Sequence, residues 1–260
     1  MTGHPRDVAA FEAGTNAAAQ GDPPPDAVLA SITASYFYLR RGLGVAAFAF
    51  PIVLWLGADP SHLQPSISAY YHYSPTGIAY GGGAMRDVFV GVLWAVGLAL
   101  FFYKGYSAKE DWALNVAGIA AAGIACFPMD WPTGVGSWTD RVHYTSAATF
   151  FLATGFVCLF CAGDTLVALR DAEKARRFQR VYRLLGIAMV AVPLAVLALH
   201  LLFERSGESH VTLAIEVAGM WIFASFWLVK SREIALIERQ APLAGIAARP
   251  AADSQPRPGL

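Results

Sequence analysis

The sequence predicts an all-α, polytopic transmembrane bundle of about six helices, with both termini on the cytoplasmic side. Three observations carry this. The 260 residues are 56% hydrophobic and only 15% charged, against about 25% charge in an ordinary soluble domain. The apolar residues fall into long runs, and a bilayer core about 30 Å thick needs roughly 20 of them per helix. Lys and Arg gather in alternate connectors between those runs, which fixes an orientation.

The elements are read in chain order. Residues 1–25 are rich in Ala, Gly, Pro and Asp and predict a disordered cytoplasmic tail. Residues 26–39 form a helical lead-in to the first span, 40–58. A long outer connector, 59–85, holds four tyrosines (Tyr70, Tyr71, Tyr73 and Tyr80) and the run Gly81–Gly83, read as a hinge. Spans two and three are expected at 86–104 and 111–129. Val88–Tyr103 is apolar all round rather than along one stripe, which argues against a soluble amphipathic helix. The connector FPMDWPTGVGSWTD leads into span four, 142–163. Span five, 183–203, contains Pro193, which removes a backbone hydrogen bond and bends a helix. Span six covers 210–230. The membrane domain is thus 26–239, and 240–260 repeat the Ala/Pro/Gly bias of a second disordered tail.

Charge sets the sidedness. Arg40 and Arg41 precede span one, and Lys104 and Lys109 follow span two. Arg170, Lys174, Arg176, Arg177, Arg180 and Arg183 follow span four, and Lys230, Arg232 and Arg239 follow span six. The other connectors hold mainly acids, with Arg86, Arg141 and Arg205. Counting Lys and Arg near span ends places both termini inside. Formal net charge is zero, so nothing points to nucleic acid. No basic segment followed by an apolar core opens the chain, so span one is expected to act as an uncleaved anchor. Cys126, Cys158 and Cys161 all fall in apolar runs; Cys158 and Cys161, three apart on one helix, read as small hydrophobes, and the odd count gives no disulfide framework.

Chemistry is expected at the outer side, where His62, His72, His143, His200 and His210 all fall. Glu216 lies about two turns into span six, where an unpaired charge costs about 2.5–3.5 kcal/mol. It needs a partner, a proton or a wet pocket. Arg86 on the same side is the expected partner, with Asp87 the competing acid. The metal reading joins His72, His143, His200 and His210 to Asp87 and Glu216 around zinc and a bound water. No HExxH or HxxxH spacing supports it specifically. Ser66, Ser68, Ser74 and Thr76 offer hydroxyls, none within a GxSxG elbow. On the inner side, Asp111, Asn115 and Asp164 read as structural.

Several segments resemble a prokaryotic multipass membrane family catalogued only as a domain of unknown function. They are YLRRGLGVAAFAFPIVLWLG, SISAYYH, MRDVFVGVLWAVGLALFFYKGY, NVAGIAAAGIACFP, VHYTSAATFF and WLVK. The resemblance covers about residues 36–235 and implies an inner-membrane protein of about six spans. By it, Ser68, Tyr70, Tyr71, Arg86, Asp87, His143 and Glu216 match the family's polar positions. The stretch between Tyr71 and Arg86 looks longer than usual for the family. A remoter similarity is to the six-span FRAG/DRAM/SFK-type proteins, and another is to membrane hydrolases of the alkaline ceramidase kind, which use Ser, Asp and His. These readings lead to one expectation and two alternatives. The expected protein binds or senses a lipid or small ligand in an outer-facing polar pocket. The alternatives are a metal-dependent, lipid-modifying hydrolase and a proton-coupled transporter acting through Glu216.

Overall fold

The computed structural model describes residues 25–74, 83–131, 136–203 and 210–247, without the side chains at 25–27, 29–30, 199–203 and 241–247. The expected tails over 1–24 and 248–260 lie outside these residues, as do Gly81 and Gly82 of the expected hinge. Among the described residues there are six α-helices and no strand. They are α1 (Pro25–Gly57), α2 (Ala84–Phe102), α3 (Ala108–Cys126), α4 (Trp138–Phe156), α5 (Ala172–Phe203) and α6 (Val211–Ala247). A short 3-10 helix, Ser68–His72, lies between α1 and α2.

Five segments are long and apolar enough to cross a membrane: Ser31–Gly57, Ala84–Phe102, Trp138–Ala168, Ala172–Ala198 and Val211–Gln240. The sixth helix, α3, carries Lys109, Glu110 and Asp111 in its first turns. The chain is a helical membrane bundle, and the helices outrun the apolar segments. α5 begins at Ala172, so Arg176, Arg177, Arg180 and Arg183 stand on a helix rather than in a connector. α6 continues to Ala247, past the expected start of a tail at 240.

The chain divides into two compact units at Leu39 and Arg40. In the first, residues 31–39 are helical and the Ser35 hydroxyl donates to the Ser31 carbonyl at 2.9 Å. In the second, helices adjacent in sequence pack against one another: α2 on α3, α3 on α4, α4 on α5 and α5 on α6. In lipid no hydrophobic force draws helices together, so close approach depends on small residues. At the α2–α3 crossing a Cβ added to Gly97 would meet the Gly118 carbonyl at 2.9 Å, and one on Gly118 would meet the Gly97 carbonyl at 2.5 Å. Glycine at both positions lets the two backbones touch.

The core is centred on α6. Phe223 lies against Phe150 of α4, Phe226 against Tyr182 of α5, and Trp227 edge-on to Tyr103 beyond α2. Trp221 stacks on Phe48 of α1 and donates to its carbonyl. Cys158 and Cys161 are each 1% exposed, as expected of small core residues.

Serine hydroxyls cap two of the helices. α3 starts on Ser107, whose hydroxyl accepts from Glu110 N–H, and α4 starts on Ser137, which accepts from Asp140 N–H. α4 ends through a π-helical turn, Val157–Cys161, and then a 3-10 turn, Asp164–Ala168. Such endings release carbonyls that need donors.

Candidate functional site

Buried polar groups collect at two levels of the bundle, one around Ser68, His143 and Glu216, the other around Arg40, Lys230 and Glu233. The first is assembled by the 3-10 helix. Just before it, the Ser66 hydroxyl accepts from Ala69 N–H at 3.0 Å and donates to Met129 Sδ at 3.6 Å. Leu213 N–H of α6 donates to the Pro65 carbonyl at 3.1 Å. These bonds tie the segment across the ends of α3 and α6.

His143 is 2% exposed and uses both ring nitrogens. Nδ1 lies 2.9 Å from the Phe127 carbonyl and Nε2 lies 2.9 Å from the Ser68 hydroxyl. A carbonyl only accepts, so in the neutral ring Nδ1 carries the proton and Nε2 accepts from Ser68 O–H. The result is a relay: hydroxyl to imidazole to backbone carbonyl. One residue earlier in the chain, Ile67 N–H donates to Glu216 Oε2 at 2.6 Å. Among the described residues, Oε1 of Glu216 meets no donor. Glu216 is partly buried, and a carboxylate oxygen in such a place is a strong acceptor for a charged donor.

Other expected members fall in different places. Tyr70 is 1% exposed, a core residue; burial pushes its phenol up from the ordinary value. Tyr71 is half-buried and sits edge-on to Phe89 of α2 and to His72. Arg86 reaches Asp87 at 3.6 Å, with the two side chains 40% and 73% exposed. The expected Arg86–Glu216 pair is not formed. Glu216 takes a backbone donor at the start of the 3-10 helix, and Arg86 takes its own neighbour. Arg86 is three residues before Phe89 and so shares its side of α2.

Three of the histidines named for zinc are described, each in its own setting. His72 Nε2 lies 2.8 Å from the Met129 carbonyl, and His143 is engaged as above. His210 is exposed in the turn before α6. The side chain of His200 lies outside the described residues. Among the described residues no group of three or more His, Cys, Asp or Glu could hold a metal ion. Nearby, the Ser137 N–H and hydroxyl hold the Asp130 carboxyl below the usual range. The same bonds close the connector into α4. At the exposed turn after α1, the Ser61 hydroxyl and His62 draw Asp59 down to about 2.

The second cluster is one that the sequence reading missed. Lys230 and Glu233 of α6 pair at 3.1 Å with side-chain exposures of 4% and 0%. Lys230 Nζ also donates to the Ala162 carbonyl at 2.8 Å and to the Thr165 hydroxyl at 2.6 Å. It thus satisfies a carbonyl released where α4 ends. Tyr182 of α5 and Thr165 donate to the two carboxylate oxygens of Glu233. Close by, Arg40 Nε donates to the Tyr103 hydroxyl at 2.6 Å. Glu110, 4% exposed, accepts from Tyr106 N–H at 2.8 Å. Two cations and two acids are therefore buried together and extensively hydrogen-bonded, which is how ion pairs survive out of water. The one legible signal was the i, i+3 spacing of Lys230 and Glu233 in KSRE.

A family model described as "Protein of unknown function (DUF998)" matches residues 42–248. No curated protein and no solved structure matches the chain. The remoter likeness to FRAG/DRAM/SFK-type proteins has no support among these findings.

Proposed function

This chain belongs to the DUF998 family, and we propose that it is an integral inner-membrane protein that binds a lipid headgroup or small ligand at the Ser68–His143–Glu216 end. The observation that carries the proposal is the Glu216 carboxylate. Oε2 is anchored by Ile67 N–H at 2.6 Å, and Oε1 is left to a ligand. A ligand offering an ammonium or hydroxyl donor gains a charge-assisted hydrogen bond there, in low dielectric. The Tyr71 ring, on the 3-10 helix that follows Ile67, sits edge-on to Phe89, and an aromatic face is a surface suited to cations. The excess of Lys and Arg at the opposite end of the bundle supports an outward-facing site.

Extraction of the protein in native lipid discs tests this. Mass spectrometry of the wild-type extract is expected to show a donor-bearing small molecule or lipid at near-stoichiometric level, and Glu216→Gln is expected to lose it. Equal profiles in the two extracts would refute the assignment.

The hydrolase reading is favoured by a different observation, the Ser68 hydroxyl on His143 Nε2 at 2.9 Å with Phe127 O orienting Nδ1–H. This is the nucleophile, base and orienter arrangement of acyl transfer without a metal. Covalent capture of Ser68 by a fluorophosphonate, absent in Ser68→Ala, would decide for hydrolysis over binding.

A further inference from the structure

A groove opens between the start of α3 and the end of α4, at the level of the Lys230–Glu233 pair. Its volume is about 460 Å³, and its lining is Ala108, Lys109, Trp112, Ala113, Ala153 and Phe156. Five of the six are apolar, so water gains little there. The groove opens sideways: Trp112 is 71% exposed and Phe156 is 38% exposed, both on helices of a membrane bundle. What meets that face is the bilayer.

Lys109 is the only charged member of the lining. Its neighbours are committed elsewhere. Lys104 pairs with Asp111 at 2.6 Å, and Glu110 turns inward to Tyr106 N–H. No acid pairs with Lys109 among the described residues, and it stands exposed at the mouth of the groove, one turn from Trp112. Tryptophan favours the headgroup level of a membrane, which puts the ammonium of Lys109 at phosphate height and the apolar floor at acyl height. Arg170 and Arg176 add to the positive field of this end, while Lys104 and Lys174 are paired with Asp111 and Asp171.

We infer that the α3–α4 groove is a binding site for an anionic phospholipid, with one acyl chain along Trp112, Ala153 and Phe156 and the headgroup charge on Lys109. This site is separate from the Glu216 end and does not depend on the function proposed there. A basic residue near an anionic lipid surface contributes about 1 kcal/mol, a ratio of about fivefold.

The test uses the full-length protein, delipidated in detergent and offered an equimolar mixture of phosphatidylglycerol and phosphatidylcholine, with retained lipid counted by native mass spectrometry. The wild type is expected to prefer phosphatidylglycerol by about fivefold. Lys109→Gln, an exposed change, is expected to bring the ratio close to one while total bound lipid stays similar. Ala153→Phe, which fills the groove, is expected to lower the bound count of both lipids, its fold checked by thermal melting. No preference in the wild type, or an unchanged preference in Lys109→Gln, would overturn the assignment. If Ala153→Phe fails to melt cooperatively, the Lys109→Gln ratio decides alone.

Discussion

Lys230→Met is expected to destabilise the bundle by about 3–5 kcal/mol, the cost of breaking a buried ion pair by removing one partner. The substitution retains the length and apolar character of the stem but removes three donated bonds. The Ala162 carbonyl, the Thr165 hydroxyl and the Glu233 carboxylate lose their shared donor at once. Glu233, with 0% side-chain exposure, would then carry its charge without a counter-ion beside it. Glu233→Leu alone should cost a similar amount, because it takes the paired carboxylate from the buried Lys230 ammonium and the acceptor from the Tyr182 hydroxyl. The double variant should recover much of the loss, since a buried pair replaced by apolar groups is often close to neutral. A double-mutant cycle by denaturant or thermal unfolding in detergent reads this directly. Additive single costs would show that the pair is not coupled.

His143→Ala is expected to have the next largest effect. The ring bridges the Phe127 carbonyl and the Ser68 hydroxyl in a site where it is itself 2% exposed. Each buried group left unpaired costs about 1–3 kcal/mol, and the missing ring leaves a cavity besides. The 3-10 helix should loosen as a consequence, because Ser68 holds it to α4. Ile67, which donates to Glu216, is the adjacent residue, so ligand retention should fall together with stability. Ser68→Ala should be milder, since Nδ1 of His143 keeps its bond to Phe127. Hydrogen exchange over residues 66–72 separates the cases: fast exchange in His143→Ala and slower exchange in Ser68→Ala. Equal exchange in both variants and the wild type would contradict the role given to His143.

The bundle was legible in the sequence because lipid imposes a simple rule: a spanning helix must be apolar over its length. Its ends were not legible, since a helix can continue into water once started. That is why α5 reaches back to Ala172 through four arginines. Ser68, His143 and Glu216 were legible as polar residues on one level, but their connections were not. Glu216 accepts from the backbone of Ile67, and every residue except proline carries such a donor, so no side-chain pattern announces it. Arg86 was the natural partner by charge alone; in the fold its neighbour Asp87 is nearer to hand.

The Lys230–Glu233 cluster was hidden for a different reason. Arg40 and Lys230 sit at span ends, where cations are read as markers of orientation. In the fold both are buried, at 7% and 3% exposure, and spend their donors on Tyr103, Ala162 and Thr165. The same residues can still mark orientation, but they also lock α1 and α6 to their neighbours. Titratable groups at this level bring the transporter reading more polarity than Asn115 and Asp164 alone. Between the two levels, along the fourth and sixth helices, stand Phe150, Phe223 and Trp227, each 3% exposed or less.

The proposed binding at the Ser68–His143–Glu216 end rests on Glu216 offering a carboxylate oxygen to a donor-bearing ligand. Thermal unfolding of the purified protein with soluble headgroup compounds (phosphocholine, phosphoethanolamine, ethanolamine and glycerol phosphate) tests it most directly. A binder present at 100 times its Kd stabilises the folded state by about 2.7 kcal/mol. An upward shift is expected with an amine- or hydroxyl-bearing compound in the wild type, and no shift in Glu216→Gln. A shift of the same size in both proteins, or in neither with any compound, would contradict that role for Glu216.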